Sequence, residues 1–147
     1  MSQVVRFDSA IDLATYTTGA GTVPTSETDA IVIKDIDVDS GSIASIGGNT
    51  QGTLFIDFTK GSLTNVVIKF YGSYKGDPGS SDWFPETEES SSSGTLTLNN
   101  INITMTASGT KMWHFPIGAC RAYKITVQGT GTATGSSLKL YLGLRSN

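Results

Sequence analysis

The sequence predicts an all-β fold, a single-domain antiparallel β-sandwich of about eight strands and jelly-roll-like form over residues 1–147. Wherever apolar residues gather they alternate with polar ones, which is typical of antiparallel strands with one buried and one wet face. Charged residues make up only 16% of the chain and there are 17 glycines, as in short strands joined by turns rather than in charged disorder. A length of 147 residues suits one domain with its own core.

Four segments carry the clearest alternation, and they fall into two pairs. Residues 54–58 and 66–70 flank a Lys-Gly-Ser turn, and residues 123–127 and 138–144 flank the Gly/Thr-rich stretch 129–135. Because a short connection joins the members of each pair, we expect two hairpins, each with one buried face. The alternating apolar residues are Leu54, Ile56, Phe58, Val66, Ile68, Phe70, Tyr123, Ile125, Val127, Leu138, Leu140, Leu142 and Leu144.

The remaining predicted strands are less regular. Residues 30–38 are apolar on both faces at first and then alternate with aspartates, as expected for a strand that runs from the interior to an edge. Residues 95–105 change register at Asn99–Asn100, which predicts a tight turn or a β-bulge there. Residues 4–7 and 111–115 complete about eight strands at sandwich-like spacing.

Three stretches lack strand patterning. Residues 8–28 are predicted to form an extended arm or linker, with one helical turn as an alternative for residues 9–16, and residues 39–52 a glycine-rich loop. Residues 72–94 are predicted to form one long loop. A loop of that length in a compact domain is usually functional or mobile.

Charge and cysteine content exclude several classes of function. The net charge is −3 and the 10 basic residues are scattered singly, so no nucleic-acid partner is expected and no basic amphipathic surface for a membrane. No apolar run has the length of a signal peptide or a membrane helix. Cys120 is the only cysteine, so there is no intrachain disulfide or cysteine-based zinc site. We expect assembly in a reducing cytosol.

Catalytic groups are sparse, and the expectation is that the protein is not an enzyme and needs no cofactor. His114 is the single histidine, and no nucleophile motif accompanies it. A structural role for His114 is therefore favoured over a hydrolytic one. Glu86, Glu88 and Glu89 lie beside a run of serines, which favours a solvated acidic loop over a glycosidase carboxylate pair.

An Asp-x-Asp-x-Asp run resembles the start of a calcium loop. Asp35, Asp37 and Asp39 supply the acidic positions. The pattern then fails at Ser40, where glycine is needed, and at Ile46, where the bidentate glutamate should stand. A solvated strand edge that resists aggregation is the favoured interpretation. No metal site is therefore predicted, and calcium binding stays open.

The aromatic residues of the predicted 72–94 loop are the candidate contact residues. Trp83 and Phe84 stand beside Pro85, and Tyr74 lies near the start of the loop. Exposed aromatic side chains anchor protein interfaces or stack on sugar rings. The alternative is that Trp83 and Phe84 fold back and cover one end of the sandwich.

The C-terminal third carries a family resemblance. Phe115-Pro116 is followed by the strand pattern of residues 121–127 and then by the Gly/Thr-rich connection and strand of residues 129–141. Together, over roughly residues 95–147, this resembles the closing hairpin of small virion structural proteins of tailed bacteriophages, above all capsid decoration (cement) proteins.

The resemblance implies an accessory protein that binds and stabilises the outer surface of a phage head. The implied partner is the major capsid protein of the same virion, and the implied oligomer is a homotrimer. The implied location is the capsid surface, after assembly in the host bacterial cytoplasm. Similar hairpins also close some tail and adaptor proteins, so a carbohydrate-binding or receptor-binding β-sandwich module is the alternative.

Overall fold

The computed structural model describes residues 5–16, 22–34, 51–116 and 120–145. These residues form strands joined by turns, bends and irregular segments, and no helix occurs among them. The strands are β1 (Val5–Tyr16), β2 (Thr28–Lys34), β3 (Gln51–Thr59), β4 (Leu63–Ser73), β5 (Phe84–Pro85), β6 (Thr87–Ser92), β7 (Thr95–Asn100), β8 (Asn102–Met105), β9 (Gly109–Pro116), β10 (Ala122–Gly131) and β11 (Ser137–Arg145).

Two antiparallel sheets make up the body of the protein. The first sheet has the order β1-β11-β3-β9, and the second has the order β2-β10-β4-β5, with β8 also paired to β4. Strands β6 and β7 form a separate two-stranded ribbon. The predicted all-β, antiparallel, sandwich-like fold is confirmed. The number of strands exceeds the predicted eight because the ribbon and the two-residue β5 were not foreseen.

Apart from the segment from β5 to β8, successive strands alternate between the two sheets. Strands β1, β3, β9 and β11 lie in the first sheet, whereas β2, β4 and β10 lie in the second. Both β5 and β8 run antiparallel to β4 along the same edge, at different positions. If β5 and β8 are counted together as one strand, each sheet has four strands. The order of the strands along the chain then alternates between the sheets as it does in jelly rolls. The strand order therefore favours the jelly-roll form of the sandwich.

The core fills the space between the two sheets. The alternating apolar residues of β3 and β11 point inward from the first sheet, and those of β4 and β10 from the second. An aromatic cluster closes one end of the core, where the ring centroids of Phe70 and Trp113 are 4.3 Å apart and those of Trp113 and Phe115 are 4.8 Å apart. The largest fully buried side chains of the core are Phe58, Phe70, Ile31, Leu54, Ile56, Leu63, Ile68, Ile125, Leu138, Leu140 and Leu142.

The two predicted hairpins are wrong. Strand β3 pairs with β11 and β9, and β4 pairs with β10. Each predicted hairpin joins strands of different sheets, so both connections cross from one sheet to the other. The alternation correctly marked one buried face on each strand. Two strands in one sheet and two strands in facing sheets both bury one face in the same core, so they show the same alternation. The pattern therefore cannot separate a hairpin from a crossover.

Two predicted irregular segments contain strands. Within the predicted arm at residues 8–28, residues 8–16 belong to β1, which pairs with the C-terminal strand β11. This also excludes a helical turn at residues 9–16. Within the predicted loop at residues 72–94 lie the end of β4 and all of β5 and β6. Strand β6 is rich in serine and threonine and lacks the apolar alternation that marks a buried face. Strand β1 has two register shifts, which interrupt its alternation.

The turn between β3 and β4 lies against the turn between β10 and β11. The amide of Ser62 donates a 2.9 Å hydrogen bond to the carbonyl of Thr134. Gly61 has φ of 56°, in the left-handed region that favours glycine. A Cβ atom on Gly61 would lie 2.4 Å from the carbonyl carbon of Gly135. The two crossovers therefore pack backbone to backbone at this end of the sandwich.

We predict that Gly61→Ala lowers the free energy of unfolding by about 2 kcal/mol or more, because it adds a steric clash to an unfavourable φ. Gly94→Ala is the matched control, since Gly94 also has a positive φ, of 79°, but open space around its Cα. Its cost should be about 1 kcal/mol or less. Urea unfolding of both variants measures the difference, and equal costs would contradict the turn-to-turn packing.

Candidate functional site

The candidate site lies at the edge of the second sheet, where β5 pairs with the end of β4. Residues Tyr71 and Gly72 of β4 pair with Pro85 and Phe84 of β5. Residues 66–69 of the same strand pair with β8. Strand β5 thus brings the aromatic segment 83–85 against the end of β4, beside the bends at residues 74–77.

Tyr74 and Phe84 form an exposed aromatic pair. Their ring centroids are 6.0 Å apart at an interplanar angle of 50°, a tilted geometry that aromatic pairs favour. Tyr74 is 63% exposed and Phe84 is 56% exposed, and the Lys75 ammonium lies 5.8 Å from the centre of the Tyr74 ring. The pair offers an apolar surface with a cation at its rim.

A shallow cavity of about 210 Å³ opens beside this aromatic pair. Cys120, from the segment before β10, is among its lining residues. A Cβ atom on Gly72 would lie 2.7 Å from the Cys120 sulfur, so the glycine makes room for the thiol. Burial, together with a hydrogen bond to Cys120, raises the pKa of Tyr123 beneath it. The cavity floor is therefore closely packed, whereas its aromatic rim is open.

Trp83 lies apart from the aromatic pair, against a lysine. The Lys124 ammonium is 5.1 Å from the centre of the Trp83 ring and also 5.1 Å from the centre of the Tyr71 ring. Both distances lie within the range of a cation–π interaction. Lys124 also approaches Asp29 at 3.5 Å. Trp83 is half-buried by this arrangement.

Glu27 is the centre of a polar network on the outer face of the second sheet. Its Oε1 accepts a 2.6 Å hydrogen bond from the Tyr71 hydroxyl and a 2.8 Å bond from the hydroxyl of Thr126. The bond from Tyr71 is the main cause that holds the pKa of Glu27 below its usual range, and Lys69 adds to it. Burial, and then the bond to Glu27, raise the pKa of Tyr71 to about 12.

Ion pairs and backbone bonds hold the 74–82 segment in place. Lys34 contacts Asp77 at 2.9 Å, and Lys75 contacts Asp82 at 3.0 Å. Asp82 also accepts a 2.8 Å hydrogen bond from the amide of Gly79. The bond from Lys75 is the first cause that lowers the pKa of Asp82. These contacts fix the position from which Tyr74 projects.

The structure brings together two of the three predicted contact residues. Tyr74 and Phe84 meet at the cavity, while Trp83 packs on Lys124 instead. Sequence reasoning missed Tyr71, Lys124 and Glu27. The cross-strand register would have identified Lys124 and Tyr71 as neighbours, because Lys124 stands directly opposite Tyr71 in the β10–β4 pair. Register cannot be read until the strand partners are known.

The other candidate groups do not form a site in the described part of the chain. The side chain of His114 is exposed on β9, and its Nδ1 lies 2.8 Å from the hydroxyl of Thr53. Residues 35–50, which include the aspartate run and most of the glycine-rich loop, lie outside the described residues. In the described ranges, no three histidine, cysteine or acidic residues are grouped so that they could hold a metal ion. Nor does any helix in those ranges have the length and apolarity to span a membrane.

No protein-family model matches the chain, and no curated protein has a matching sequence.

We predict that Glu27→Gln lowers the free energy of unfolding at neutral pH by about 1 kcal/mol, allowing for solvent screening of a carboxylate that is 38% exposed. Because the folded-state pKa of Glu27 lies below the usual 4.5, this stabilisation is present above that value and is lost as the pH falls through the folded-state pKa. The difference in free energy of unfolding between the unaltered protein and Glu27→Gln should therefore become smaller in acid.

Urea unfolding from neutral to acidic pH measures this effect. Glu88→Gln makes the same change of charge on the exposed β6, outside the network, and serves as the control. A difference between Glu27→Gln and the unaltered protein that stays constant down to low pH would contradict the network.

Proposed function

We propose that this protein is a non-catalytic virion structural protein that decorates and stabilises the outer surface of a phage head. The observation that carries the proposal is the exposed Tyr74–Phe84 pair at the edge of a rigid β-sandwich. Large aromatic side chains that stay exposed in a monomer are the usual anchors of protein–protein interfaces.

The C-terminal resemblance supports the same function. Its last two strands, β10 and β11, occupy central positions, one in each sheet, so this segment is a crossover between sheets and not the closing hairpin that the resemblance implies. The resemblance therefore supports the function through its sequence pattern alone. A segment that forms the middle of both sheets would be shared by proteins with this fold. Edge segments such as β5 would differ among them and make the contacts specific to each protein. The major capsid protein is the partner this proposal requires.

The surroundings of the Tyr74–Phe84 pair also suit a contact with another protein. The two rings sit over a shallow cavity of about 210 Å³, and Lys75 and Asp82 provide a charged rim. An apolar centre with a polar border is the general plan of a protein interface. A neighbouring apolar side chain from the shell would fill the cavity.

A carbohydrate-binding module is the second candidate, and the same aromatic pair favours it. Sugar rings stack on exposed aromatic faces with polar groups nearby. Tyr74 and Phe84 provide the aromatic faces, and the Glu86 carboxylate lies in the same cavity lining. Trp83, the residue expected from the sequence to stack on a sugar, is instead covered on one side by Lys124.

We predict that the purified protein binds intact heads that lack it, at a fixed copy number, and raises the temperature at which they rupture. Tyr74→Ala together with Phe84→Ala should weaken binding by roughly tenfold to a hundredfold, as the loss of two interface anchors does. Pelleting of heads with bound protein, followed by thermal release of DNA, measures both effects.

Glu88→Ala and Thr97→Ala on the ribbon are controls at exposed positions away from the aromatic pair. Normal binding by the aromatic double variant, or no binding by the unaltered protein, would contradict the proposed contact. If the unaltered protein instead binds a glycan array and the same double variant does not, the carbohydrate-binding function replaces the structural one.

A further inference from the structure

The edges of the two sheets differ in how open they are to a further strand. In the described residues, β1 and β9 are the outer strands of the first sheet, and β2 and the segments β5 and β8 are those of the second. Strand β1 has two register shifts and β2 has one, and bulges of this kind disturb an edge. Strands β5 and β8 have only two and four residues. Strand β9 has eight residues and pairs with β3 without a register shift, so it is the longest regular edge.

The open side of β9 has the features that attract another strand. It presents backbone N–H and C=O groups that no neighbouring strand binds, and such an edge is a template for pairing. Its side chains are largely apolar, with Phe115 buried, Trp113 half-buried and Met112 58% exposed. A regular, apolar edge of this kind pairs with other copies of a chain unless a side chain opposes the pairing.

Lys111 lies on the inner face of this edge strand. It stands opposite Ile56 of β3, which stands opposite Leu140 of β11. Paired residues lie on the same side of a sheet, and Ile56 and Leu140 are both buried in the core. The row across the sheet therefore runs from two buried aliphatic residues to a lysine. Lys111 is nevertheless exposed, because the outermost strand lets the lysine stem lie along apolar surface while the ammonium group reaches water.

We propose that Lys111 keeps the β9 edge free by opposing the pairing of a further strand. A strand bound there would stand beside Lys111 on the inner face and remove water from its ammonium group. Burying an ammonium group without an acidic partner is unfavourable, and proteins use inward-pointing charges on edge strands to prevent edge-to-edge pairing. The proposal concerns the first sheet alone and does not depend on binding to a phage head.

Pairing of β9 with β9 of a second copy illustrates the effect of this position. When a twofold axis perpendicular to the sheet relates two antiparallel strands, the inner faces of both copies lie on the same side. In the registers with the longest overlap, Lys111 then stands opposite Trp113 or Phe115 of the second copy. A shift of the register towards the start of the strand places it opposite Lys111 of that copy, and like charges directly opposite each other repel. Strand β9 contains no aspartate or glutamate, so none of these registers supplies a counter-ion.

The test is the association state of Lys111→Val, measured by sedimentation velocity over a concentration series beside the unaltered protein. Valine removes the charge, keeps the inner face apolar and favours extended strands. The variant should associate, with a dissociation constant at least about tenfold below any that the unaltered protein shows. The physical reason is that pairing at the edge no longer buries an ammonium group.

Two control variants separate the position of the charge from its loss. Lys111→Arg keeps a positive charge at the edge and should leave association unchanged. Lys139→Val makes the same change of charge on the outer face of the central strand β11, where Lys139 stands opposite Asp57. It should also leave association unchanged. A circular dichroism spectrum equal to that of the unaltered protein shows that each variant is folded.

Amide hydrogen exchange, resolved by residue, shows whether the added association uses this edge. In Lys111→Val, the amides on the open side of β9 should exchange more slowly at associating concentrations than in dilute solution, because they become hydrogen-bonded to a second copy. In the unaltered protein the same amides should exchange at one rate across the concentration series.

A folded Lys111→Val variant that associates no more than the unaltered protein would overturn the proposal. So would equal association of Lys139→Val, which would indicate an effect of net charge. Association of Lys111→Val without added protection of β9, or concentration-dependent protection of β9 in the unaltered protein, would also overturn it. None of these results bears on binding to heads through Tyr74 and Phe84.

Discussion

The ring contact between Phe70 of the second sheet and Trp113 of the first, with centroids 4.3 Å apart, is the constraint on which the other features depend. Phe115 occupies the space in which Gly52 would otherwise carry a side chain, and Cys120 does the same beside Gly72. Because Gly52 lacks a Cβ, the Phe115 ring can lie over it and stack on Trp113, which in turn packs on Phe70 of the other sheet. The same close packing holds the end of β4 in place and thereby positions the edge where β5 attaches.

The edge of β4 determines where β5, β8 and the β6–β7 ribbon lie on the surface. Strand β4 is longer than either β5 or β8, which both pair with the side of β4 that faces away from β10. The chain between β5 and β8 extends from this edge as the β6–β7 ribbon. The ends of both strand segments are fixed on a rigid sheet, whereas the excursion between them contributes nothing to the core. This arrangement places Phe84, one of the proposed contact residues, and the ribbon on elements that can vary without cost to the fold.

The sequence predicted the fold class and most of the buried residues, but not the strand partners or the site. Alternation identified Leu54, Ile68 and Leu140 as buried because a half-buried strand has period two. It could not pair β3 with β11 or β4 with β10, since sequence distance does not reveal sheet membership. The Tyr74–Phe84 pair was anticipated by residue type, whereas the Lys124–Tyr71 contact depends on register and became visible only in the folded chain.

Cryo-electron microscopy of the phage particle to which we propose that this chain belongs tests the central claim most directly. The account predicts β-sandwich density on the outer surface of the head, oriented so that Tyr74 and Phe84 face the major capsid protein. Absence of the protein from the particle, or attachment to the head through a surface that leaves both aromatic side chains in solvent, would contradict it.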